Sequence, residues 1–384
     1  MKQAKKKLTA FFLSVMCLMS CVVLAGCGDN TPPVMYYGST EISLSMYRYW
    51  MSAYKSYFLQ ILGGEDTEEF LNAEYDIQNE DGEVVTQTVA NYLNDQILSV
   101  IRSNCISLYL FDEYKLSLPD STVSAVESAI ESEIANAGSR KALNEALAPI
   151  GLNVNLLKDM FLAEEKINYL YSYLYGDESL GEDVAPLTAA EPITDDQYDA
   201  FYQSHYVCVK HIYIRTADKN VLDDEGNVQY DDEGYVVTAE LTEEEAAAKY
   251  ALCDEIEQMI LDGADFDTLI EEYSEDSGRY TYTDGYVVSR SSSLPEAFLS
   301  NAFDMQIGEI RRVDASYATH IMLRLELPEK GWLDDTILSM MDNFKAYVKS
   351  EVFAEKIAPY VEQIVYDEDL LSEYTIYNIP TTSY

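Results

Sequence analysis

Val209-Lys210-His211-Ile212-Tyr213-Ile214, Asp262-Gly263-Ala264-Asp265-Phe266-Asp267-Thr268-Leu269-Ile270-Glu271-Glu272-Tyr273-Ser274-Glu275-Asp276 and Ser316-Tyr317-Ala318-Thr319-His320-Ile321-Met322 punctuate one stretch, Val207 to Glu326. The chain has 3 histidines, and two of them, His211 and His320, sit at corresponding ends of this stretch. Cys208 to Arg215 reads as a strand, because β-branched and aromatic residues crowd around His211. Thr242 and Glu245 form a capping box that opens a helix running to Leu261, and Phe266 to Tyr273 reads as a second helix. Gly285 to Ser289 reads as a strand, Pro295 to Phe303 as a short helix, and Glu309 to Asp314 and His320 to Leu325 as two further strands. Between the first strand and its helix lies an acidic insertion, Val221 to Thr238, with Asp-Asp-Glu-Gly at both Asp223 and Asp231. Its flanking Val228, Tyr230, Tyr235, Val236 and Val237 predict a hairpin turned at Glu233-Gly234. The carboxylates lack EF-hand spacing, which favours an acidic hairpin over a calcium loop.

Outward from this stretch the pattern becomes helical. Ser43 is a plausible N-cap for a helix carrying Leu44, Tyr47, Met51, Tyr54 and Phe58 at helical spacing. Thr86 to Leu116 repeats the pattern with Val89, Leu93, Ile97, Val100, Ile101, Leu108 and Phe111. Pro119-Asp120-Ser121 starts a helix to about Ala137, and Asn153 to Tyr175 gives another. The tyrosines on these faces (Tyr47, Tyr49, Tyr54, Tyr57; Tyr169, Tyr171, Tyr173, Tyr175) read first as helix packing and second as an adaptable surface for unfolded chains. Gly176 to Pro192 suits a linker. Asp195 begins a last helix before His205. Asp334 to Tyr366 reads as one long helical region, followed by a short acidic tail.

The ends speak to location. Lys2, Lys5, Lys6 and Lys7 precede an apolar run from Leu8 to roughly Leu24, the layout of a secretory signal. The run ends in Leu24-Ala25-Gly26-Cys27, similar to a bacterial lipobox, in which Cys27 takes the lipid. Acyl chains would anchor the protein firmly, each buried CH2 adding about 0.8 kcal/mol. Cys105, Cys208 and Cys253 remain, an odd set without regular spacing, and read as buried thiols rather than a disulfide or metal framework. So few cysteines suit the outer face of a Gram-positive membrane. Removing the signal with its four lysines takes the formal charge from −43 to −47. Such a surface excludes nucleic acid as a partner and repels anionic headgroups, leaving the lipid as the membrane contact. A hydrophobic content of 48% with 32 tyrosines excludes wholesale disorder.

The central stretch resembles the parvulin family of peptidyl-prolyl cis/trans isomerases. The layout of helical, mixed and again helical segments is similar to extracytoplasmic foldase lipoproteins of the PrsA type and to SurA-type chaperones. The resemblance implies an α+β fold: a helical chaperone lobe from the N- and C-terminal segments, with an inserted parvulin-like α/β domain of about four antiparallel-type strands and flanking helices. The boundaries expected are a signal and lipobox at 1–27, a tether at 28–35, a helical region at 36–195, a parvulin-like domain at 205–327 with an insertion at 217–241, and a C-terminal segment at 333–384 packing on the N-terminal region. On the same resemblance His211 matches the first-strand histidine, Asp276 the family's cysteine or aspartate, and His320 the second histidine. Leu294, Phe298, Phe303 and Tyr317 match the proline pocket. Two departures stand out: Tyr280-Thr281-Tyr282-Thr283-Asp284-Gly285 replaces a glycine-rich turn, and Ala318-Thr319 replaces a Gly-Tyr pair.

These residue types suit the reaction implied. An X-Pro bond rotates over a barrier of about 20 kcal/mol with no covalent bond broken. The catalyst needs an apolar socket for the ring and a polar network that favours the twisted amide, and no cofactor or metal. A lone histidine in a strand is ordinarily a satisfied core residue, so it is the set and its spacing that point to a site. The partners implied are unfolded, proline-containing secreted chains and the membrane through lipid; a homodimer stays open. Two alternatives stand beside the foldase: a non-catalytic holdase on the same scaffold, and a solute-binding lipoprotein, which would need two lobes of alternating strands and helices that 34–195 does not show.

Overall fold

The computed structural model describes residues 8–9, 29–78, 84–176, 188–223, 225–231 and 233–381. Cys27, expected to take the lipid, most of the apolar run, 10–24, and most of the expected linker, 177–187, lie outside the described residues. The chain divides into two units, one from residues 1–194 with 346–384, the other from Asp195–Lys345.

In the first unit, β1 (Pro33–Tyr37) and β2 (Thr40–Ser43) lead into α1 (Leu44–Leu62). Ser43 caps α1 by accepting from the Met46 N–H. A hairpin, β3 (Glu74–Gln78) and β4 (Val84–Thr88), precedes α2 (Val89–Glu113). The helical periodicity from Thr86 overran this hairpin: Thr88 is the N-cap of α2, accepting from the Asn91 N–H, so the residues before it are free to be extended. Then come α3 (Asp120–Asn136), α4 (Arg140–Leu147) and α5 (Val154–Tyr175), the last capped by Asn153. Trp50, Met51, Leu93, Ile97, Ile101, Leu170 and Leu174 are core, joined by Phe353 and Ile357 from the C-terminal segment. Tyr47 and Tyr54 are buried, and Tyr171 packs edge-on to Phe353 at 5.3 Å, so much of the tyrosine face is packing.

The second unit opens with α6 (Asp195–His205), then β5 (Tyr206–Arg215), the short pair β6 (Asp218–Asn220) and β7 (Thr238–Glu240), α7 (Glu243–Leu261) and α8 (Phe266–Tyr273). β8 (Tyr286–Ser289), α9 (Glu296–Asp304), β9 (Ile310–Asp314) and β10 (Ala318–Leu325) follow. These make a four-stranded antiparallel sheet in the order β9–β10–β5–β8. Strand alternation splits its side chains between two cores. Val207, Val209 and Met322 pack with Phe298, Leu299 and Ala302 of α9. Ile212, Ile214 and Ile321 pack with Cys253 and Ile256 of α7 and Phe266 and Leu269 of α8. Cys105, Cys208 and Cys253 are free and buried.

Two expectations need correction. The insertion makes two successive turns, not one. Leu222 bridges Val228, and Tyr230 bridges Val236, around equivalent loops. Each Asp-Asp-Glu-Gly is a complete turn signal, so the first closes as readily as the second. The region from Asp334 is not one helix. A one-turn helix Asp335–Leu338 is followed by a break at Asn343, whose φ is 57°, before α10 (Phe344–Val361). Asparagine is among the few residues that tolerate this left-handed conformation.

Residues 365–379 are docked rather than trailing. β11 (Val365–Tyr366) pairs antiparallel with β1, and α11 (Glu368–Glu373) follows. Ile376 and Ile379 are buried in the first unit's core. Lys55 on α1, 1% exposed, donates from Nζ to the Ile379 carbonyl at 2.9 Å and pairs with Asp66 at 2.6 Å. A buried ammonium is tolerated only with such partners.

Candidate active site

β5 and β10 place the two histidines by register. His211 faces Met322, and Tyr213 faces His320. His211 and His320 are therefore diagonal neighbours on one face, within reach of each other. Their Nδ1 atoms lie 3.0 Å apart, with rings at 5.2 Å and nearly parallel.

Asp276 arrives from the other edge of β5. The Tyr213 N–H donates to Ser274 Oγ at 3.1 Å, and the Glu275 N–H donates to the Tyr213 carbonyl at 2.8 Å. This short pairing continues the edge of β5 past the end of β8 and sets Asp276 beside His211. His211 Nε2 is 3.1 Å from Asp276 Oδ2. The Tyr286 hydroxyl on β8 donates to the same oxygen, and Asp276 Oδ1 accepts from the Gly278 N–H at 2.9 Å. At the far end the Tyr317 hydroxyl is 3.3 Å from His320 Nε2.

The result is a row: Tyr286, Asp276, His211, His320, Tyr317. With both rings neutral its hydrogens follow from the ends inward. An ionised carboxylate only accepts, so His211 carries its proton on Nε2. His211 Nδ1 is then an acceptor, His320 must be protonated on Nδ1, and His320 Nε2 accepts from Tyr317. All these hydrogen bonds run the same way, towards Asp276.

Electrostatics act on three groups of the row: His320, Asp276 and Tyr286. Burial, with the neighbouring His211, pushes the His320 pKa down from 6.5 to about 4, so the ring is neutral near pH 7. Burial alone would raise Asp276, but hydrogen bonds from His211, Tyr286 and the Gly278 N–H outweigh it and hold the carboxyl well below its usual range. Burial and that carboxylate push the Tyr286 hydroxyl far above its usual pKa, keeping it a donor.

Phe298, 2% exposed, packs against both imidazoles with its ring 5.3 Å from each. Phe303 belongs to the adjoining apolar cluster, and the Arg290 guanidinium lies 4.3 Å over its ring. Leu294 stands 40% exposed on the turn before α9. The structure thus unites His211, Asp276, His320, Phe298 and Tyr317; Phe303 joins the apolar cluster that contains Phe298, and Leu294 lies on the turn leading into α9, outside the row. A cleft of about 250 Å³ opens beside the row, lined by Lys210, His211, Asp267, Asp276, Arg279, Tyr286 and the Tyr282–Gly285 loop. A larger cavity of about 340 Å³ in the first unit is lined by Asp29, Asp159, Lys166 and several hydroxyls, with neither a histidine nor an aromatic socket. Among the described residues no cluster of three or more metal-ligating side chains occurs.

Sequence reasoning missed three participants. Tyr213 lies 5.2 Å from His320 ring to ring, and strand alternation from His211 points to it. Tyr286 was read only as part of a strand. Gly278 sits so close to Tyr286 that an added Cβ would lie 2.1 Å from its hydroxyl oxygen, so glycine there lets the hydroxyl reach Asp276. No sequence signal marks the last two.

Residues 202–326 match the model of the PPIC-type PPIase domain family. Solved structures that resemble the chain include PrsA from Bacillus subtilis, at 17% identity over 74% of this chain and 88% of that one, with a TM-score of 0.23. Foldase protein PrsA from Streptococcus pneumoniae follows at 14% identity, 79% and 96% coverage and a TM-score of 0.23. Peptidylprolyl isomerase (PrsA) from Bacillus cereus shares 13% identity over 76% and 92%, with a TM-score of 0.26. At such scores the whole chains do not superpose, and the likeness adds nothing to the domain match. No curated protein matches the chain. The strand order, the paired histidines and the family match converge on one conclusion: residues 202–326 of this chain are a parvulin-type peptidyl-prolyl isomerase domain.

Proposed function

We propose that the protein is an extracytoplasmic foldase, lipid-anchored through Cys27, that binds unfolded secreted chains and isomerises their X-Pro bonds at the histidine row. The observation that carries the catalytic half is the continuous row from Tyr286 to Tyr317 laid against the ring of Phe298. Phe298, Tyr317, Leu294 and Phe303 supply the apolar socket. His211, His320 and Asp276 fix its field.

The chemistry is conformational. As the amide twists it loses resonance, its nitrogen becomes pyramidal and its carbonyl more ketone-like. A site complementary to that state, and less so to either planar isomer, lowers a barrier of about 20 kcal/mol. Proton transfer is not needed, which fits a row whose donors are all engaged. The anchoring half rests on the lysine-rich leader, the apolar run and Leu24-Ala25-Gly26-Cys27.

The test is NMR exchange between cis and trans forms of a short Ala-Pro peptide, with soluble protein lacking residues 1–27. The expected outcome is exchange well above background, abolished in a folded His211→Ala, His320→Ala variant. A folded wild-type domain that gives no acceleration would leave a non-catalytic holdase.

A further inference from the structure

The insertion after β5 is an arm built on an eight-residue repeat. The described residues of 221–228 and 229–236 fold alike. Asp223 Oδ1 accepts from the Glu225 and Asn227 N–H groups, and Asp231 Oδ1 from those of Glu233 and Tyr235. Gly226 and Gly234 both adopt the left-handed conformation, with φ of 86° and 87°. The three passes close on one another through main-chain bonds. The Gln229 N–H donates to the Val221 carbonyl, Val221 to Val237, and Val237 to Gln229.

Apart from the two turn-forming aspartates, main-chain bonds hold the arm, and its larger apolar side chains are left outside. Leu222, Tyr230, Tyr235 and Val236 are 54%, 64%, 67% and 41% exposed. A loop serving solubility alone has no use for four exposed apolar side chains. Around them, residues 217–241 hold eight carboxylates and one lysine. That lysine, Lys219, is already paired with Glu245. The arm's root is joined to the site: the Thr216 and Ala217 N–H groups both donate to the carbonyl of Tyr317, whose hydroxyl ends the histidine row.

We propose that this arm is a docking surface for a cationic, apolar stretch of the same polypeptide whose prolyl bond enters the histidine site, which rests on the isomerase reading above. Tyrosine offers contact area at low entropic cost, and the acidic field steers lysine- and arginine-bearing chains towards it. The arm therefore sets substrate preference: prolines near basic, aliphatic sequence are favoured over prolines near acidic sequence.

The test uses the soluble chain, residues 28–384, and two labelled Ala-Pro peptides, one extended by Lys-Leu-Lys-Leu and one by Glu-Leu-Glu-Leu. Binding is read by fluorescence anisotropy and isomerisation by NMR exchange. Wild type should bind the lysine peptide about tenfold tighter, and about 0.5 M salt should shrink the difference. Tyr230→Ser with Tyr235→Ser should weaken that binding about fivefold, and so should Glu225→Gln with Glu233→Gln, which spares the turn-forming Asp223 and Asp231. Both variants should turn over an unextended Ala-Pro peptide like wild type. Equal binding of the two extensions, or variants that bind like wild type, would overturn the proposal. So would variants that unfold, since the side chains would then be structural. If wild type does not accelerate the short peptide, the isomerase reading fails by itself, and the anisotropy series still judges the arm.

Discussion

On β5 and β10, Ile212, Ile214 and Ile321 face α7 and α8, while their immediate neighbours His211, Tyr213 and His320 face the opposite side of the same sheet. The first face is apolar and interchangeable in kind; any well-fitting aliphatic side chain would serve. The second carries an apolar core beneath α9 and, at the histidines, a polar row whose members depend on one another, because each donor or acceptor is satisfied by the next. The first face therefore carries stability alone, whereas the second carries, beside its core, a site geometry held at some risk to stability. The same two strands do both because their side chains alternate.

That contrast can be broken most severely on the apolar face. Ile321→Ala, at a site with no exposure, should cost about 2–5 kcal/mol in chemical denaturation of the second unit, while leaving turnover per folded molecule nearly unchanged. A large loss of turnover at full folding would mean that the faces are not separable.

Acid attacks the polar face. The folded His320 pKa is depressed, so between about 4 and 6.5 the unfolded chain binds the proton that the folded chain refuses. Stability from this group is complete above 6.5 and is lost as pH falls towards 4, by about 3 kcal/mol at most. Asp276, also depressed, keeps its contribution down to lower pH and then loses it in the same direction. Unfolding midpoints measured from pH 7 to 4 should fall in the wild type, and fall less in a His320→Gln variant.

The smallest effect belongs at the end of the row. Tyr286→Phe removes one donor from a carboxylate that keeps two others, so it should cost about 1 kcal/mol, with a modest drop in turnover. Gly278→Ala should reproduce that drop with the hydroxyl present, since the new methyl displaces it.

Much of this contrast was legible from residue order. The strand around His211, the capping box at Thr242, the α9 segment and both histidines all obey local rules, and the structure places them within a residue or two. What escaped was of two kinds. Tyr286 and Gly278 join the row through contacts across the fold, and a single chain gives no local sign of them. The break at Asn343 and the doubled turn of the arm were local: helical periodicity runs over the first, and of two identical turn signals the expected hairpin uses only that at Glu233-Gly234. The hairpin before α2 shows the same bias: Thr88 caps the helix more decisively than the apolar spacing extends it.

The docked end of the chain carries a consequence for biogenesis. β1 lies between β2 and β11, and Lys55, ion-paired with Asp66, also donates to the carbonyl of Ile379. The first unit is thus stitched from residues more than three hundred positions apart, whereas Asp195–Lys345 is contiguous. During synthesis the contiguous unit has all its residues before the first unit does. The unit that starts emerging first must wait for residues 365–379, Lys55 meanwhile paired with Asp66 but short of its carbonyl acceptor.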